Sequence, residues 1–305
     1  MGTVGFAYYN AFLKHEPPMW HPDSPERLIH IIVKLKAAGL WDRMTLLEER
    51  RATEKELGLV HIREHVRRLA AMGAGAVDED TYLSADSYDA ALCAAGAVLE
   101  AVDQCRNNGM RRIFCAVRPP GHHAEADRAM GFCLFNNVAV GARYARTRGF
   151  ERVCVIDFDA HHGNGTQHIF EEDDSVLYFS THQHPYYPDT GKDHERGRGR
   201  GEGYTYNVPI LAGCGDKEYL AVYQDILPGV VSRFGPDLIL VSAGYDIHRD
   251  DPHANIRVTD EGIRSIVRSI LDSSGVPAIF VLEGGYDIAS LSRSVAITIE
   301  EMLRN

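Results

Sequence analysis

The 305-residue chain is 45% hydrophobic and 25% charged, an ordinary globular balance that speaks against disorder or a fibre. Its formal net charge of −11 argues against a broad nucleic-acid footprint, which needs a basic face, and is compatible with a cationic partner. No apolar run reaches the roughly 18 residues of a membrane span, and MGTVGFAYYNAFLKHE lacks a basic start followed by a long apolar core, so a cytoplasmic protein without membrane contact is expected.

In chain order, TVGFAYY (3–9) reads as the first strand. Ser24-Pro25-Glu26 then opens a helix, with Ser24 as N-cap and Pro25 at the first helical position, and the pattern runs through RLIHIIVKLKAAG to Gly39. A helix over 87–105, a strand over 112–120, a helix over 136–149 and strands over 153–159 and 176–182 follow. RGRGRGEG (196–203) reads as a flexible surface loop rather than an RNA-contacting tract, and YTYNVPI after it is strand-like. Helices over 216–235 and 259–275 alternate with strands over 237–246 and 278–287. The strands are short, β-branched and apolar on both faces, the pattern of parallel strands covered by helices on each side. Such alternation predicts an α/β fold with a mostly parallel sheet and a single domain over 1–305. The six cysteines (Cys93, Cys105, Cys115, Cys133, Cys154, Cys214) are scattered without a CxxC, which predicts free thiols and no thiolate zinc site.

Ligands of open α/β sheets sit beyond the carboxyl ends of the strands, so the residues after each apolar run carry the most information. CAVRPP is followed by Gly121-His122-His123, and VCVI by Asp157-Phe158-Asp159-Ala160-His161-His162. LILVSAGY is followed by Asp246, and FVLEGG by Tyr286. Singly, each has an ordinary explanation: a turn carboxylate, a polar His-His turn, a rim tyrosine. His182 and His184 read as surface or supporting residues. Four such strand ends in one sheet point instead to a site. Asp159 and His161, two apart, share a side of an extended chain, and Asp157 alternates onto it. Two Asp and one His, with Asp246 from another strand, suit Zn²⁺ or Fe²⁺ and leave coordination positions open for chemistry. Two adjacent histidines suggest a general base and an electrostatic helper, each needing a partner, which Asp157 and Asn164 can supply. A tyrosine after two glycines can donate to an oxyanion. Together these groups describe hydrolysis of an amide or ester by an activated water.

RPPGHHAE (118–125), GFCLFNNVA (131–139), DFDAHHGNG (157–165), SAGYDIHRDDP (242–252) and EGGYD (283–287) resemble, in order and over roughly residues 1–300, the zinc-dependent histone deacetylase superfamily, which includes bacterial acetoin-utilisation proteins and acetylpolyamine amidohydrolases. The resemblance implies an arginase-like α/β deacetylase fold and removal of an acetyl or other short acyl group from an acylated amine. Acyl-lysine in proteins is the favoured substrate, with acylated polyamines as the alternative and a non-catalytic acyl-lysine-binding scaffold as a third reading. It makes Asp159, His161 and Asp246 the zinc ligands, His123 the general base, His122 its electrostatic partner on Asp157, and Tyr286 the group that polarises the acyl carbonyl. Gly131 and Phe132 would line the acyl tunnel. A potassium ion would involve Asp157, Asp159, His161, Ser180 and Thr181, and a second monovalent cation Phe170, Asp173 and Val176. Asn164 stands where class I enzymes carry a carboxylate, as in class II and many bacterial relatives. Asp80, with Asp78 as competitor, would grip substrate backbone at the rim. His253 occupies a position that is apolar in many class II relatives and Glu in polyamine-selective ones. An arginase-type ureohydrolase with two manganese ions would need more bridging Asp ligands. A homo-oligomer stays open.

Overall fold

The computed structural model describes residues 4–304. The strands are β1 (Val4–Ala7), β2 (Met44–Leu46), β3 (Gly75–Ala76), β4 (Tyr82–Leu83), β5 (Arg112–Cys115), β6 (Val153–Asp157), β7 (Val176–Gln183), β8 (Thr205–Ile210), β9 (Leu238–Ala243) and β10 (Ala278–Leu282). The helices are α1 (Glu26–Ala37), α2 (Glu54–Leu57), α3 (Arg63–Ala71), α4 (Ser87–Asn108), α5 (Asn137–Thr147), α6 (Asn164–Phe170), α7 (Asp216–Leu220), α8 (Leu227–Phe234), α9 (Asp260–Asp272) and α10 (Ile288–Arg304).

Eight strands form one sheet in the order β2-β1-β5-β10-β9-β6-β7-β8, and every pairing in it is parallel. β6, β7, β9 and β10 are buried along their whole length, as strands covered on both faces must be. Helices α4 and α5 pack on each other and on the central strands, while α10 lies between α1 and α9. Asn136 caps α5 by accepting from Ala139 N, and Thr259 caps α9 by accepting from Gly262 N.

Several local expectations are corrected. The α1 assignment starts at Glu26, but Pro25 already has helical backbone (φ −57°, ψ −28°), as a first helical residue does; what is missing is a side-chain cap, Ser24 contributing its backbone carbonyl, which accepts from Arg27 N at 3.2 Å. The helix expected over 216–235 is interrupted by a π-helical turn at Ala221–Ile226, just before Pro228, whose missing N–H and bulky ring disturb the regular ladder there. RGRGRGEG does lie at the surface but is tied down: Arg198 pairs with Glu171 at 2.8 Å and Glu172 at 3.0 Å, and Gly201 is buried. β2, β3, β4, α2, α3, α6 and α10 lie outside the expected elements. α6 is short and opens on Asn-Gly, and α10 is rich in Ser and Ile, residues of middling helix propensity whose helix is held by its buried face. All six cysteines are free, and five are buried.

Candidate active site

The sheet order gathers the chemistry. The loops with His122–His123, Tyr286, Asp246 and Asp157–His161 follow β5, β10, β9 and β6, which are consecutive neighbours at the centre of the sheet. Asp159, His161 and Asp246 therefore converge, with one potential ligand atom from each lying within 4.8 Å of the others. His161 Nδ1 stands 3.1 Å from Asp159 Oδ1 and 3.0 Å from Asp246 Oδ2. Both carboxylates are almost fully buried. Burial and the neighbouring Asp159 push Asp246 up to about 7, whereas His122 and His161 hold Asp159 low against its burial. Two facing buried carboxylates with an imidazole nitrogen aimed between them are a donor set that a divalent cation would satisfy. The backbone makes room for it: at Gly284 an added Cβ would overlap Asp246 Oδ2 and stand 2.6 Å from Asp159 Oδ2. Gly284 N donates to Asp159 Oδ2 at 2.8 Å, and Ala160 N to Asp246 Oδ1 at 2.8 Å, which orients both side chains.

Beside this cluster the His122 and His123 rings lie 4.0 Å apart, in very different surroundings. His122 Nδ1 is 3.0 Å from Asp157 Oδ2. Burial opposes its charge, but Asp157, Asp159 and Glu283 outweigh burial and push it up to about 10. His123 Nδ1 meets only the neutral Asn164 Oδ1, at 2.8 Å. Burial and the neighbouring His122 and His161 hold it well below the usual imidazole range. Such a divergence between adjacent groups separates a proton acceptor from a fixed cation.

Tyr286 is half-buried, with Phe132 edge-on at 5.9 Å, His253 at 4.6 Å and the Arg27 guanidinium 5.0 Å from its ring centre. Burial, against the opposing pull of Arg27 and with Asp246 and Asp159 nearby, pushes its phenol well above 10, so it stays a hydrogen-bond donor. Gly131 and Phe132 both take left-handed backbone, φ 57° and 68°. At Gly131 a Cβ would come within 2.5 Å of His123 Cδ2, so the residue type is required, while Phe132 bears the strain that puts its ring at the site. Between the two rim candidates the geometry discriminates. Asp78 is exposed and accepts from Asp80 N and Thr81 N within its own turn. Asp80 accepts from Gly131 N at 3.2 Å and so borders the tunnel residues.

The remaining expected residues fall as follows. Asp157 is paired with Ser180 across β6 and β7, next to Thr181, and its Oδ1 accepts from Asp159 N at 3.2 Å. Asp173 has its carboxylate engaged by Arg143 and Ser175, so a cation near Phe170, Asp173 and Val176 would meet backbone carbonyls rather than that side chain. His182 is not a surface residue: it is fully buried, bonded to Ser180 Oγ and Gly191 O at 2.8 Å each, and burial lowers it to about 4. His184 is half-exposed. His162 is occupied by Thr190 and Gln167.

Comparison with known proteins shows the family of the chain. The histone deacetylase domain matches residues 21–302. The chain belongs to the histone deacetylase family. A probable deacetylase of Archaeoglobus fulgidus is 39% identical over 94% of this chain and 82% of its own length. Histone deacetylase 5 of Arabidopsis thaliana is 38% identical over 99% of the chain, which spans 49% of that protein. The human polyamine deacetylase HDAC10 is 37% identical over 94% of the chain and 45% of its own length. The crystal structure of the HDA15 HD domain superposes with a TM-score of 0.95 at 38% identity, covering 100% of this chain and 89% of that one. The fold is thus that of the arginase-like deacetylases.

Three buried acids were missed from the sequence. Glu283 accepts from Gly121 N and His122 N and from Ser242 Oγ, tying β10 and β9 to the His-His loop. Asp251 accepts from His253 N, Tyr286 N and Asp287 N, so one carboxylate sets both the tyrosine and its neighbour. Glu125 contacts Asn164. All three lie inside or beside the motifs quoted above, but nothing in their spacing announces which amides they face.

Proposed function

We propose that this family member is a zinc-dependent amidohydrolase, its catalytic domain the whole of 1–305, that removes an acetyl or other short acyl group from acylated lysine in proteins. The observation that carries the reading is a pair of adjacent histidines in opposite protonation environments beside the Asp159–His161–Asp246 cluster and Tyr286. Zinc, held by those three residues with iron(II) as the alternative, would supply Lewis acidity toward the acyl carbonyl and toward water. His123, kept neutral, takes the proton from the attacking water and later delivers one to the departing amine. His122, kept cationic by Asp157, stabilises the negative charge that develops nearby. Tyr286 donates a hydrogen bond from its phenolic O–H to the carbonyl oxygen as it becomes an oxyanion. Gly131 and Phe132 flank the acyl-bearing chain, and Asp80 accepts from substrate amides at the rim. Potassium at Asp157, Asp159, His161, Ser180 and Thr181, and a second monovalent ion near Phe170, Asp173 and Val176, belong to the same proposal, as does a cytoplasmic location.

A second reading, hydrolysis of acylated polyamines, is favoured by the mouth of the site. His253, its ring tilted against Tyr286 at 4.6 Å, is held below the usual imidazole range by burial and so does not repel a cationic substrate. Kinetics on acetyl-lysine peptides and on acetylated polyamines separate the two. On the better substrate Tyr286→Phe is expected to lower kcat roughly 10²- to 10³-fold, and chelation to abolish turnover until zinc is restored. Full turnover by Tyr286→Phe on both substrate classes would refute the mechanism.

A further inference from the structure

His123 leans on an amide, and an amide has two unlike ends. The Oδ1 end of Asn164 can only accept, and the Nδ2 end only donates. Facing His123 with the wrong end would put the proton on the wrong ring nitrogen. The structure supplies a group that decides between them. Asn164 Nδ2 donates to Glu125 Oε1 at 2.6 Å, and Glu125 is itself 7% exposed. The same oxygen meets His168 Nδ1 at 2.9 Å, and Arg128 stands 3.9 Å away. Asn164 and His168 are one helical turn apart on α6, so a single helix face presents both to Glu125. The Glu125 backbone is pinned as well: its N donates to Arg128 O at 2.9 Å, and its carbonyl lies 3.0 Å from His61 Nδ1.

We infer that Glu125 is a positioning residue that sets the tautomer of His123 through Asn164. An ionised carboxylate only accepts, so Asn164 must turn its NH₂ toward Glu125 and its oxygen toward His123. His123 Nδ1 must then carry the ring proton, which leaves the lone pair on Nε2 for proton abstraction. His168 and Arg128 keep Glu125 ionised. A carboxylate at position 164 would have two equivalent oxygens and would need no such partner; the asparagine does. The inference rests on His123 serving as the base, and its first test does not use activity.

In protein labelled with ¹⁵N at histidine, the ring nitrogen shifts report the tautomer directly, with His123 assigned by a His123→Phe variant. The wild-type protein is expected to show His123 protonated on Nδ1, and a predominantly Nε2–H form would overturn the inference even if deacylation is observed. Glu125→Gln, which can donate as well as accept, is expected to mix the tautomers. It should also lower kcat roughly 10-fold with KM unchanged and thermal unfolding close to wild type. If Glu125 acts through Asn164, Glu125→Gln adds no further loss in an Asn164→Ala background. An equal loss in both backgrounds, or unchanged histidine spectra in Glu125→Gln, sinks the idea. Failure of Tyr286→Phe to impair turnover would instead remove the hydrolytic reading and leave the tautomer result standing.

Discussion

At the scale of single residues, function depends on buried polar groups being held in one orientation, and the carboxylates do most of the holding. Asp251 faces three backbone amides and Glu283 two amides and a hydroxyl, so neither can turn away without leaving donors unpaired. The Glu125–His168 pair is the one contact of this set that reaches solvent, and it makes stability depend on pH. The Glu125 hydrogen bond raises His168 above its ordinary 6.5, so its contribution is complete below 6.5 and fades as pH rises through the folded value. Burial alone would raise Glu125, but His168 holds it below 4.5, so its contribution is complete above 4.5 and fades as pH falls. Between those limits both act. Urea unfolding of wild type and His168→Gln should differ by under about 1 kcal/mol at about pH 6, because the imidazole side is 40% exposed. The difference should shrink at about pH 9; an equal difference at both pH values contradicts the pairing.

Among the secondary-structure elements, the parallel strands act as supports that end where chemistry starts. The loop after β10 is tightly constrained. Gly284 passes so close to Asp159 and Asp246 that a methyl group in its place would displace one carboxylate or the other. Gly284→Ala is therefore expected to leave the far-UV circular dichroism unchanged while bound zinc falls well below one ion per chain by elemental analysis. Stoichiometric zinc in that variant would show that the cluster is not the metal site. The π-helical turn before Pro228 reaches the sheet through Tyr223, whose hydroxyl lies 2.9 Å from Thr181 Oγ1.

Over the whole molecule, a net charge of −11 favours long-range attraction of cationic partners. Attraction of this kind acts over a Debye length, about 10 Å at 0.1 M salt. For a lysine-rich acetylated peptide, kcat/KM is expected to fall several-fold as salt rises from roughly 0.02 to 0.3 M, with kcat nearly constant. A neutral acetyl-lysine amide serves as control; an equal fall for both would exclude steering by charge.

What could be read from the amino-acid order was whatever is local. Apolar runs marked the strands, and the titratable residues after them marked the places where a site could be. The proposed ligands Asp159 and His161 are visible because they stand two apart directly after an apolar strand, although the bend that follows β6, not the strand, sets their geometry. Tertiary structure decided what joins distant segments. The strand order β5-β10-β9-β6 makes four separate loops neighbours, although Asp159 and Gly284 are 125 positions apart. The partners of Glu283, Asp251 and Glu125 are backbone amides, a serine hydroxyl, an asparagine and a histidine, whose pairing carries no periodic or compositional signal. A hydrogen bond depends on position and direction in space, and those exist only once the sheet has closed around the site.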